Sequence, residues 1–173
     1  MLLAPCNTHI QGTMSWLETF PNATVIASDI VKKRILAKTT LVEVLGISYL
    51  SQQIPSSVSL HKLPNCRFGE VWVSIDSGAK VYWIVGDSIM NVEAGDNSIW
   101  DWLKFNIYRV GPSLEVTRIF RFFGISNKEV YQKWVIENFS NGRENALIPC
   151  HGEVYSDIDF TGKIISLTRK RFS

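Results

Sequence analysis

Two runs rich in β-branched and aromatic residues, Glu70 to Ile75 and Lys80 to Val85, stand on either side of Asp76-Ser77-Gly78-Ala79. This pattern predicts a β-hairpin, with the glycine at a position that wants positive φ. The second run ends at Gly86-Asp87, which puts a carboxylate directly after five apolar or aromatic residues, Val81 to Val85. A carboxylate there needs water, a helix or turn to cap, or a cation.

Around the hairpin the chain alternates strand and helix periods. Leu2 to Ala4 reads as a buried strand, and Pro5 to His9 as a loop that carries Cys6 and His9 to the strand end. Met14, Trp16-Leu17 and Phe20 have helical spacing, Pro21-Asn22 stops it, and Ala23 to Ala27 is a second strand. Strand, helix, strand in this order predicts a parallel pair joined by a right-handed crossover. Ser28-Asp29 caps a helix through about Ala37, residues 39–57 read as loop with some helix, and Val58 to Leu63 alternates as a half-buried strand. From Ser98 to Phe139 the pattern is helical, broken by Gly111-Pro112 and Gly124 into about three helices. Ala146 to Ile148 is a strand feeding Pro149-Cys150-His151-Gly152. Ser156-Asp157 then caps a last helix with Ile158, Phe160, Ile164-Ile165 and Leu167 as its buried stripe and Arg169 to Arg171 at its solvated end.

The element order is mixed α/β, and 173 residues with 46% hydrophobic and 20% charged content fit a single globular domain over residues 1–173. A formal net charge of +2 gives no electrostatic reason for a nucleic-acid partner, and no run has the length of a membrane span. Cys6, Cys66 and Cys150 are odd in number and widely spaced, which points to free thiols in a reducing, cytoplasmic compartment. A strand beginning at the first residue suggests a domain shortened at its N-terminus, because a buried strand wants neighbours on both sides.

The polar residues of interest fall at strand ends: His9, Asp87 and His151. Two imidazoles and a carboxylate are a set that zinc or non-haem iron accepts, with a position left open. The competing reading makes one histidine a helix cap, the other a turn residue, and Asp87 a cap. Cys6 and Cys66 are soft ligand candidates that read equally as small buried hydrophobes. Cys150 would face away from His151 if the strand continued, hence toward the core, and His61 reads as a surface residue. The aromatics from Trp100 to Trp134 serve as core, as the wall of an apolar pocket, or as an oligomer contact.

The strand-end motifs resemble the metallo-β-lactamase-like fold superfamily. Asn7-Thr8-His9-Ile10-Gln11-Gly12 before a helix, Phe20-Pro21-Asn22-Ala23-Thr24-Val25-Ile26-Ala27, Val85-Gly86-Asp87 after the hairpin and Ile148-Pro149-Cys150-His151-Gly152 follow the order of that family's HxHxDH loop, FPxAxVYAS-like strand, GD strand and PGHG-like strand. The resemblance covers nearly the whole chain except the family's opening strands. It implies an αββα sandwich lacking its first strands, and a metal-dependent hydrolase acting on a small-molecule substrate. Residue by residue, it makes His9 the last loop histidine, Asp87 the metal-bridging acid and His151 the final histidine. Ala4 and Cys6 stand where the first two loop histidines would be, Thr8 at the loop aspartate, and Cys66 near the later histidine. One family site is thereby reduced to cysteines. A single zinc or iron ion is the most this pattern implies, and none if the site is degenerate, in which case the chain is a non-catalytic relative. Leu3-Ala4-Pro5 with His9, Trp16 and Phe20-Pro21 looks closest to a subgroup, a domain of unknown function, that carries APN…H in this loop.

Overall fold

The computed structural model describes residues 1–41, 43–93, 103–108, 111 and 113–172. It is a mixed α/β fold. Strand β1 (Leu2–Ala4) leads through α1 (Thr13–Thr19) to β2 (Val25–Ala27), and α2 (Asp29–Lys38) leads to β3 (Leu45–Gly46) and the short α3 (Ile47–Ser51). β1, β2 and β3 form a parallel sheet in that order, so the expected parallel pair is present.

A second sheet takes β4 (Val58–Lys62), β5 (Val71–Asp76) and β6 (Lys80–Val85), with β9 (Glu144–Pro149) and β10 (Tyr155–Ser156), in the order β10-β9-β6-β5-β4. The β5–β6 hairpin is antiparallel, with Gly78 at φ +86 in its turn. β9 enters parallel to β6, with Val85 opposite Pro149. That one register places the residues leaving β6 beside those leaving β9.

Alternation along the strands sorts the apolar side chains between layers. Ala4, Val25 and Ala27 of the first sheet pack with Val31 and Ile35 of α2. On the other face Leu3, Ile26 and Leu45 meet Ile47 and Leu50 of α3 and Leu60 and Val71 of the second sheet. The far face of the second sheet carries Trp72, Val81, Trp83 and Leu147. They pack under α4 (Lys128–Phe139), through Tyr131, Val135 and Phe139, and under α5 (Phe160–Phe172), through Phe160 and Ile164. Each buried aromatic or branched side chain there removes enough apolar surface from water to contribute roughly 1.5–3 kcal/mol.

Several expectations need correction. The helical reading of 98–139 holds for α4 and for two π-helical turns, Leu103–Tyr108 and Phe120–Gly124, but Ser113–Val116 is a strand, β8. It pairs antiparallel with β7 (Ile89–Val92), whose backbone groups give it partners that a helix would not need. The part of that reading on residues 98–102, with Trp100 and Trp102, lies outside the described residues. Of its other aromatics, Phe120 is buried, while Phe122 and Phe123 are exposed. Ile158 is fully exposed and not part of a buried stripe, because α5 starts only at Phe160. Arg171 is buried and forms a two-pronged ion pair with Glu115 of β8, so it does not solvate the helix end. His61 is half-buried: its Nε2 lies 2.8 Å from Ser74 Oγ, its ring packs on Trp83, and burial lowers its pKa. Among the described residues no helix is long and apolar enough to cross a membrane.

Candidate metal centre

Three strand ends converge. The loop after β1 is tied to the start of β5 by Val71 N donating to Pro5 O (2.8 Å) and Asn7 N donating to Phe68 O (3.0 Å), which brings Cys6, Thr8 and His9 over the second sheet. β6 delivers Asp87. β9 stops at Pro149, and Cys150 N extends the ladder by one bond to Val85 O (3.0 Å), leaving Cys150 and His151 beside Asp87.

His9 Nε2 lies 3.5 Å and His151 Nε2 3.3 Å from the same oxygen, Asp87 Oδ1, and Cys150 Sγ is 3.5 Å from it. The two rings are 5.6 Å apart, tilted by 40°. Ligand atoms of His9, Asp87, Cys150 and His151 all fall within 4.8 Å of one another. The Asp87 side chain is 18% exposed, His9 32% and His151 50%, so the group is open on the His151 side.

No family model matches this chain, and no curated protein or solved structure matches it.

The sequence candidates thus divide. His9, Asp87 and His151 come together. Cys6 is buried at the edge of the group: its Sγ is 3.1 Å from His9 Nδ1, 2.8 Å from Thr8 Oγ1 and 4.0 Å from Asp87 Oδ2. Burial raises its pKa. Cys66 stands apart, packed in the core near Phe120 and Ile125, where burial pushes its thiol up to about 11. Cys150 corrects the expectation of a core residue: it is exposed, and because the strand has ended, alternation no longer sends it away from His151. Although the residue is exposed, its thiol is partly desolvated by its neighbours, and this together with the Asp87 carboxylate raises its pKa. In chemical terms the four donors are two imidazole nitrogens, a carboxylate and a thiol, a set that fits zinc or iron better than a hard alkaline-earth ion.

Sequence reasoning missed the partners of Asp87. Thr8 Oγ1 donates to Asp87 Oδ2 at 2.5 Å, and Thr117 Oγ1 donates to the Asp87 carbonyl at 3.3 Å. Glu70, fully buried, grips both neighbours of Asp87. Its Oε1 accepts from Gly86 N (3.0 Å), from Ser88 Oγ and from Trp72 Nε1 (2.7 Å). Only glycine fits at 86, since a Cβ there would meet Glu70 Cδ at 2.9 Å. Burial pushes the Glu70 carboxyl up to about 7, against the lowering effect of Ser88 and Trp72, and Asp87 adds to the rise. The available signal was a charged residue opening an apolar strand run.

Proposed function

We propose that this chain is a metallo-β-lactamase-like, metal-dependent hydrolase-like protein with one mononuclear site, in which His9, Asp87 and His151 hold a zinc or iron ion. The observation that carries it is the convergence of donors from three separate strand ends on Asp87. The stack of helix, sheet, sheet and helix contacts supports the αββα assignment. Bound there, the ion supplies Lewis-acid polarisation of an electrophile. The residues do the rest: Thr8 fixes which carboxylate oxygen faces the imidazoles, and the half-exposed His151 leaves the group open to a small-molecule substrate. A cavity of about 310 Å³, lined by Leu3, Pro5, His9, Thr13 and Trp16 among others, adjoins it and offers apolar surface for such a molecule. Free Cys6 and Cys150 thiols suit a reducing, cytoplasmic setting. An oligomer contact, if this chain makes one, falls on the exposed Phe122 and Phe123.

A second reading is favoured by Cys150. A fourth protein donor closes a tetrahedral site, which is the habit of structural zinc and suits a non-catalytic binding module. Metal analysis of the purified protein, with His9→Ala and His151→Ala beside it, tests the common ground: about one ion per chain in the wild type, lost in both variants. A wild type without stoichiometric metal, or variants that keep it, removes the basis of the proposal. Cobalt substitution separates the two readings, since a thiolate charge-transfer band that disappears in Cys150→Ser marks the closed site.

A further inference from the structure

We infer that Cys6 is a positioning residue and not a ligand: it holds His9 with its proton on Nδ1 and its lone pair on Nε2. The argument follows the protons along one chain of contacts. Asp87 as a carboxylate only accepts, so the 2.5 Å contact to Oδ2 takes the single hydroxyl proton of Thr8. Thr8 Oγ1 then has no proton left for Cys6, and its 2.8 Å contact with Sγ needs the proton of the thiol. With that proton committed, the sulfur faces His9 Nδ1 at 3.1 Å as an acceptor, and Nδ1 must be the nitrogen that carries the hydrogen.

Giving the thiol proton instead to Nδ1, or to Asp87 Oδ2 at 4.0 Å, leaves sulfur and the Thr8 oxygen pressed together at 2.8 Å with no proton between them, so the first order is the one that satisfies the short contacts of Thr8 with both Asp87 and Cys6. It has a cost that points to its use. Nε2, now a bare lone pair, faces the Asp87 carboxylate at 3.5 Å, where the other tautomer would have donated a hydrogen bond. A loop that sets two electron-rich atoms toward each other is arranged for a cation between them. Outer partners that fix the tautomer of a ligand histidine commonly change metal affinity by about 10–100-fold when removed. The role of outer partner rests on the proposed metal centre; the tautomer does not.

The test uses the full ¹⁵N-labelled chain, stripped of metal, at alkaline pH. Long-range proton–nitrogen correlation, with the His9 signals assigned from a His9→Gln sample, is expected to report the Nδ1–H form. Cys6→Ala removes the acceptor and leaves Asp87 Oδ1 as the best partner, so His9 turns over to Nε2–H. Cys6→Ser restores the chain, since a hydroxyl also gives one proton and accepts another, and it returns the Nδ1–H form. Cobalt titration of the same three proteins is expected to give about 10–100-fold weaker binding for Cys6→Ala and near wild-type binding for Cys6→Ser. An Nε2–H wild type, an unchanged tautomer in Cys6→Ala, or a Cys6→Ser protein that behaves like Cys6→Ala overturns the inference. If the tautomers behave as stated but the wild type takes no cobalt, the metal reading fails and the outer-partner role falls with it, while the proton order stands.

Discussion

Replacing Glu70 by glutamine should flatten the dependence of stability on pH. The Glu70 carboxyl is raised from 4.5 to about 7 by burial, so between those values the folded chain keeps a proton that the unfolded chain has released. Stability therefore falls as pH rises through that window, and the full loss is present above it. A rise of two to three pKa units corresponds to about 3 kcal/mol, at 1.36 kcal/mol each. Glutamine keeps an oxygen for Trp72 Nε1, Gly86 N and Ser88 Oγ but cannot ionise. Urea unfolding of both proteins at about pH 5 and about pH 8 gives four free energies, and the difference of differences isolates position 70. His61, whose lowered pKa acts in the opposite direction over a neighbouring range, cancels in that comparison. The wild type should lose about 2.5 kcal/mol more than Glu70→Gln between the two pH values, since the unfolded carboxyl has already released most of its proton at about pH 5, or roughly 5–10 °C more in melting temperature for a chain of this size. Parallel pH profiles would refute the placement of an ionisable group at the centre of this network.

Two further outcomes follow from packing and pairing. Gly152, at φ +93, lies where an added Cβ would sit 1.9 Å from Asn91 O, and Asn91 N donates to His151 O. Gly152→Ala should push the His151 loop off β7 and weaken cobalt binding while α4 and α5 stay folded by circular dichroism; unchanged binding would mean that the loop position does not matter to the donors. Glu115→Ala strands the buried Arg171 guanidinium and should cost about 3 kcal/mol in urea unfolding, whereas Glu115→Leu with Arg171→Met should recover most of it. Equal losses in both would show that packing, and not the stranded charge, decides.

The hairpin, the parallel β1–β2 pair and the β9 strand were legible because each rests on a local signal: period two, a turn glycine, or a short apolar run after a loop. β8 was not, because Leu114 and Val116 read as helix or strand alike until β7 supplies a partner. Ser28 was a correct N-cap for an incomplete reason: it stands at the start of α2, yet its hydroxyl donates across to Gly69 O at 2.6 Å and not into the helix. His9, Asp87 and His151 could be chosen as residues that leave strands. Their meeting depends on the β6–β9 register and on the tie from Pro5 to Val71, which are pairings between distant segments that no single stretch of sequence encodes.

The same distinction explains why Asp87 carries the site more firmly than either histidine. Thr8 reaches its side chain from the β1 loop, Thr117 reaches its carbonyl from the end of β8, and Glu70 holds the residues before and after it from the start of β5. Three elements thus fix one residue; of them Thr8 alone bonds a carboxylate oxygen, and the side chain is buried enough to need that partner. His151, half exposed on a loop held by backbone bonds to Asn91, has far less around it. Geometry defined from the acid outward places the adaptable part of the group at His151 and Cys150. On the proposed metal reading a change of ligand number would be accommodated there, and this is why the choice between an open and a closed site turns on Cys150 and not on the residues that sequence alone brought forward.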